Sequence, residues 1–138
     1  MYKKLIDEAL KARENAYAPY SEFKVGAALL TENDELFSGC NVENASFGAT
    51  NCAERTAIFT AIAKGSHKIK ALAVVGDLNS FTYPCGICRQ VMAEFALNKD
   101  IPIIIAKNRE EYVVKTMEEI LPGAFTKLDL DDQKGGAL

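Results

Sequence analysis

Cys85-Gly86-Ile87-Cys88 places two thiols either side of a two-residue spacer where a helical pattern begins, and Cys52 opens an earlier helical pattern. Thiolates are favoured at helix N-termini, where unpaired N–H groups create a local positive potential. Two such helix ends facing each other gather three thiolates around one zinc ion and leave a fourth tetrahedral position for water. Three protein ligands with one open position is the catalytic arrangement, and four ligands is the structural one. Glu54 follows two residues after Cys52, where it can stand beside the open position and take a proton from bound water. Arg55 is the next residue. Three thiolates leave a divalent zinc with net negative charge, which opposes hydroxide formation, and a guanidinium donating hydrogen bonds to the sulfurs offsets this.

Each residue also has a plainer reading. A lone C-x2-C can be a redox pair. Cys40 could add a fourth thiolate and make the metal structural, but it lies inside a predicted strand next to Gly39, where a buried free cysteine is the commoner outcome. Glu54 and Arg55 could be a helix-start acid and a solvated base.

The elements that must position these groups are legible from periodicity. Residues 2–15 put Tyr2, Leu5, Ile6, Ala9 and Leu10 on one helical stripe. Two β-like runs, Phe23 to Leu30 and Leu36 to Val42, flank the turn-forming Thr31-Glu32-Asn33-Asp34-Glu35 and predict a hairpin. A helix is expected from Cys52 until Lys64-Gly65, and a covered strand from Ala71 to Gly76. Pro84 suits the first turn of a third helix carrying Ile87, Val91, Met92, Phe95 and Ala96, and strands at Ile101 to Ala106 and Tyr112 to Lys115 complete the pattern. This order implies an α/β layered fold with helices against a mixed sheet. One domain is expected over 1–128, with 129–138 as a frayed tail.

Composition narrows the function classes. The chain has 138 residues, a net charge of −3, four cysteines and one histidine. That length builds a core without disulfides, so the cysteines need another purpose. No basic face is present for a polyanion, which argues against nucleic acid. No apolar run is long enough for a membrane span and Met1 to Leu10 lacks a signal-peptide core, so a cytoplasmic location with reduced thiols is expected. A single histidine, His67, excludes two-histidine mechanisms and reads as a solvated loop residue.

Cys52-Ala53-Glu54-Arg55 with Pro84-Cys85-Gly86-Ile87-Cys88-Arg89-Gln90 resembles the C/H-A-E…P-C-x-x-C pattern of zinc nucleoside and nucleobase deaminases. The all-cysteine form is similar to the small cytidine deaminases. Phe23 to Ala28, Gly39 to Ser46 and Leu121-Pro122-Gly123-Ala124-Phe125 agree with it, so the resemblance covers nearly the whole chain. It implies a three-layer α/β/α fold around a mixed sheet of about five strands. It further implies zinc, one per subunit, on Cys52, Cys85 and Cys88, with Glu54 as the proton shuttle. Asn41 and Glu43 would hydrogen-bond the ribose, Phe23 would lie against the pyrimidine, and Ala53 and Phe125 would also touch substrate. In the family pattern Phe125 arrives from a neighbouring subunit, beside the Ala45 to Gly48 loop, in a homotetramer. The implied reaction is hydrolytic deamination of cytidine and 2′-deoxycytidine in pyrimidine salvage. The alternatives are another aminopyrimidine nucleoside as substrate, such as a nucleoside antibiotic, or a non-catalytic nucleoside-binding module. Phe47, Asn51 and Ile87 depart from the commoner family residues, which bears on substrate preference.

Overall fold

A computed structural model describes residues 1–134 of the chain. Its elements are α1 (Tyr2–Arg13), β1 (Gly26–Thr31), β2 (Leu36–Cys40), α2 (Ala53–Ala63), β3 (Ile69–Val75), α3 (Gly86–Phe95), β4 (Pro102–Ala106), β5 (Tyr112–Thr116), α4 (Met117–Ile120) and α5 (Lys127–Lys134), with a 3-10 turn at Phe47–Ala49. The strands form one sheet in the order β2-β1-β3-β4-β5. Among the strands of the described residues only the β3–β4 pair is parallel, because α3 supplies the crossover that a parallel pair requires.

Alternation along the strands divides the core between two faces. Leu29, Leu72, Val74, Ile103 and Ile105 point into a cluster with Ala57 and Ile58 of α2 and Met92 of α3. Ala28, Ala73, Val75 and Ile104 meet Leu5, Ile6 and Ala9 of α1 on the other face. The architecture is therefore the expected three layers around a mixed five-stranded sheet. Close approach of helix to sheet depends on two glycines. A Cβ on Gly26 would lie 1.9 Å from the Ala9 carbonyl oxygen of α1, and one on Gly39 would lie 2.6 Å from the Ala57 amide nitrogen of α2.

Several boundaries differ from the sequence expectation. Phe23–Val25 does not pair as strand, because the side chain of Asn41 takes its backbone groups: Asn41 Oδ1 accepts from Val25 N at 2.8 Å and Asn41 Nδ2 donates to the Phe23 carbonyl at 2.8 Å. Pro84 lies outside α3, whose N-cap is Cys85. Cys40, expected to be buried, is half-buried at the end of β2. The short helix α4 starts with a capping box, Thr116 and Glu119 each satisfying the other's backbone N–H. The segment expected as a tail from Asp129 is helical to Lys134, and residues 135–138 lie outside the described residues. Among the described residues, no helix is long and apolar enough to cross a membrane.

Candidate metal centre and active site

Helices α2 and α3 pack together and begin side by side, with Cys52 as the N-cap of the first and Cys85 as the N-cap of the second. The Sγ atoms of Cys52, Cys85 and Cys88 lie within 4.8 Å of one another. Two sulfurs each about 2.3 Å from a tetrahedral ion stand roughly 3.8 Å apart, and Cys52 and Cys85 Sγ are separated by 3.8 Å. Cys88 is buried, Cys52 half-buried and Cys85 exposed, so the cluster is embedded on one side and open on the other. The residues present fit a zinc ion held by three sulfurs.

Burial prepares the acidic group beside this cluster. Glu54, in the first turn of α2, is only 4% exposed. Burial pushes its carboxyl up to about 7, and the negative sulfur of Cys52 acts in the same direction. The Cys52 thiol is pushed down to about 5, first by a hydrogen bond from Cys88 and also by Arg55. Cys88 is pushed up by that same hydrogen bond and by burial.

Arg55 Nη2 donates to Cys52 Sγ at 3.2 Å. Burial opposes its charge, but the facing sulfurs of Cys52 and Cys88 outweigh that and hold the guanidinium more firmly protonated. Its Nε is buried without a protein hydrogen-bond partner. The guanidinium is thus directed at the Cys52 sulfur.

A second group of expected residues assembles next to the start of α2. Val42 and Asn51 exchange backbone hydrogen bonds of 2.9 Å each way, which places Asn41 to Glu43 beside the residue preceding Cys52. Asn51 Nδ2 in turn donates to Thr56 Oγ1 at 3.0 Å, joining this segment to the first turns of α2. Glu43 Oε1 accepts from the amides of Tyr20 and Ser21 at 3.0 and 3.1 Å, and Oε2 accepts a short hydrogen bond from the Ser21 hydroxyl. The Ser21 contacts, hydroxyl first, lower the Glu43 carboxyl below its usual range. Ser21 Oγ also accepts from the Phe23 amide at 3.0 Å. Phe23, Asn41 and Glu43 are therefore one hydrogen-bonded unit with Ser21.

Phe125 is not packed into either group. It is 56% exposed, with its carbonyl held by Gln90 Nε2 at 2.7 Å. Ala53 is fully buried at the start of α2. Phe47, the departure in the adjoining loop, is 76% exposed and meets Tyr20 edge to face at 6.1 Å. Arg89 and Gln90 stand in the sequence motif without an individual role, and Ser21 stands outside the motifs. Their partners are mostly backbone atoms, which carry no residue-type signal.

The family model for the cytidine and deoxycytidylate deaminase zinc-binding region matches residues 1–104. The chain is 51% identical to a cytidine deaminase of Sporosarcina psychrophila, covering 93% of each chain. It is 49% identical to a cytidine deaminase of Halalkalibacterium halodurans, covering 93% of this chain and 96% of that one. The crystal structure of cytidine deaminase from Burkholderia pseudomallei superposes with a TM-score of 0.84 at 48% identity, covering 91% of this chain and 99% of the other. With a three-thiol centre, a buried carboxyl beside it and this degree of similarity, the chain belongs to the cytidine and deoxycytidylate deaminase family.

Proposed function

We propose that the chain hydrolyses cytidine and 2′-deoxycytidine to uridine and 2′-deoxyuridine, releasing ammonia. The observation that carries this reading is the buried Glu54 two residues from a cysteine in a three-sulfur cluster. Cys52, Cys85 and Cys88 would hold zinc, which when bound supplies Lewis acidity and lowers the pKa of a water nucleophile.

Glu54 is the proton carrier. It takes one proton from the attacking water and delivers it to N3 of the pyrimidine as the C4–O bond forms, then takes the remaining hydroxyl proton and passes it to the amine, which leaves as ammonia as the C4–N bond breaks and the C4 carbonyl forms. A carboxyl raised by burial into the neutral range can accept and release protons at working pH. Arg55 balances the charge of the three thiolates through its contact with Cys52.

Asn41 and Glu43 would bind the ribose. Each amide atom of Asn41 has one backbone partner, and a carboxamide retains a further N–H and lone pair for a sugar hydroxyl. Glu43 is already oriented by three donors, so little ordering cost remains for binding. A site built to pair a hydroxyl discriminates strongly against compounds without one. Phe23, Ala53 and Phe125 would contact the nucleoside. The exposure of Phe125 and Phe47, at 56% and 76%, supports completion of each site by a second copy of the chain, in a homotetramer.

One purified sample tests the reaction. Its zinc content is measured, followed by ammonia and uridine formed from cytidine. Zinc with matched release of both products is expected. Zinc without turnover would replace this reading with a nucleoside-binding module, and absence of zinc from a folded, metal-supplied sample would remove the mechanism.

A further inference from the structure

Helix α3 carries more than its thiol. Immediately after Cys88, Arg89 and Gln90 together bind three backbone carbonyls outside the helix. Arg89 Nε donates to Pro84 O at 2.8 Å and Nη1 donates to Ile120 O at 2.8 Å. The same guanidinium lies over the Tyr83 ring, 6.0 Å from its centroid. Gln90 Nε2 donates to Phe125 O at 2.7 Å. Ile120 and Phe125 are the two ends of the Leu121-Pro122-Gly123-Ala124 segment, so one turn of α3 grips that segment at both ends. Pro84 directly precedes the cluster residue Cys85, so the grip also fixes the loop that presents this thiol.

At the two ends of the intervening chain Leu121 packs against the core and Thr126 N donates to Asp129 Oδ2 at 2.7 Å. Pro122 lacks an N–H, and Gly123 has the left-handed φ of 62°. Leu121 N donates back to Met117 O at 3.0 Å, which closes α4, whereas Phe125 itself is mostly exposed. A largely exposed ring on such a connection needs an external anchor to have a defined height and direction. The Gln90 bond supplies it from the helix that bears Cys88.

We propose that Gln90 is a positioning residue for nucleoside binding: with Arg89 as the second anchor, it fixes the Leu121 to Phe125 segment on its own α3, so that the Phe125 ring is presented in a set direction to the site of the neighbouring copy. The proposal rests on the reading of Phe125 as a substrate contact. Gln90 acts through Phe125 and touches neither substrate nor metal. Because it is exposed, Gln90→Leu removes the donor while keeping a good helix former of similar size.

The test is a double-mutant cycle on cytidine kinetics with zinc content measured in every protein. Losing one hydrogen bond predicts that Gln90→Leu raises KM roughly three- to tenfold, with kcat within about twofold and zinc content unchanged. In a Phe125→Ala background, which itself raises KM, adding Gln90→Leu should produce no further increase. A raised KM in Phe125→Ala alongside an unchanged KM in Gln90→Leu would overturn the positioning role alone. Equal KM increases from Gln90→Leu in both backgrounds, or a loss shared by zinc content and kcat, would also overturn it in favour of general structural support. An unchanged KM in Phe125→Ala would overturn the substrate reading of Phe125, and the proposal with it.

Discussion

Gly39→Ala probes how closely the metal centre depends on the sheet beneath it. An added Cβ would lie 2.6 Å from the Ala57 amide nitrogen, 2.8 Å from Thr56 Cβ and 2.9 Å from the Thr56 carbonyl carbon. Two of these are backbone atoms of α2, so no side-chain rotation relieves the contact. Restoring even the 3.4 Å at which ordinary contact begins moves helix from strand by about 0.8 Å. Thr56 and Ala57 lie in the first two turns of α2, with Cys52 as its N-cap and Glu54 within its first turn, so the displacement falls on the proposed ligand and the proposed proton carrier together. Overpacking of this kind costs about 1–3 kcal/mol, and the absence of a flexible neighbour favours the upper end. For a domain of this size that lowers the urea midpoint by roughly 1 M. A shift approaching 1 Å in a reacting group predicts a loss of kcat on the order of 10- to 100-fold. Urea unfolding, zinc content and cytidine turnover on one preparation measure all three effects. Wild-type midpoint, zinc affinity and turnover in Gly39→Ala would refute the claim that this contact sets the position of α2.

Arg55→Ala should retain zinc yet lower kcat by roughly 10- to 100-fold, the scale of one charge-assisted hydrogen bond; metal analysis with steady-state kinetics checks this, and an unchanged rate would make Arg55 a bystander despite its 3.2 Å contact with Cys52. Ser21→Ala removes the largest cause of the lowered Glu43 carboxyl. A lowered carboxyl stabilises its contacts above the ordinary carboxylate range and loses them as pH falls through its folded-state value. The acid-side rise in KM should therefore begin at higher pH in Ser21→Ala, and an unmoved pH–KM profile would contradict the role of Ser21.

The metal centre was legible because its chemistry restricts residue type and spacing together. Three thiols at two helix starts and an acid two positions after one of them have few other joint uses. Short apolar runs likewise located the strands, since β1, β3 and β4 are buried on both faces and so read as nearly continuous apolar segments. Side chains that compete for backbone groups were not legible. Asn41 removes Phe23 and Val25 from the strand pattern by binding their main chain, and no periodicity reports such a bond. The Gln90 and Arg89 grips were hidden for the same reason, as their acceptors are carbonyls. Helix α4 was missed because four residues show no period, although Thr116 and Glu119 form the capping-box spacing. The polar composition of α5 suits a solvated helix as well as a tail.

The central claim is that Glu54 moves the protons of a zinc-dependent hydrolysis. Glu54→Gln keeps the size of the buried side chain while removing its ability to accept and return a proton. Zinc content and cytidine turnover of this variant, measured beside the parent protein, test the claim most directly. Parent-level zinc with turnover abolished is the predicted result, and parent-level zinc with near-normal turnover would contradict it.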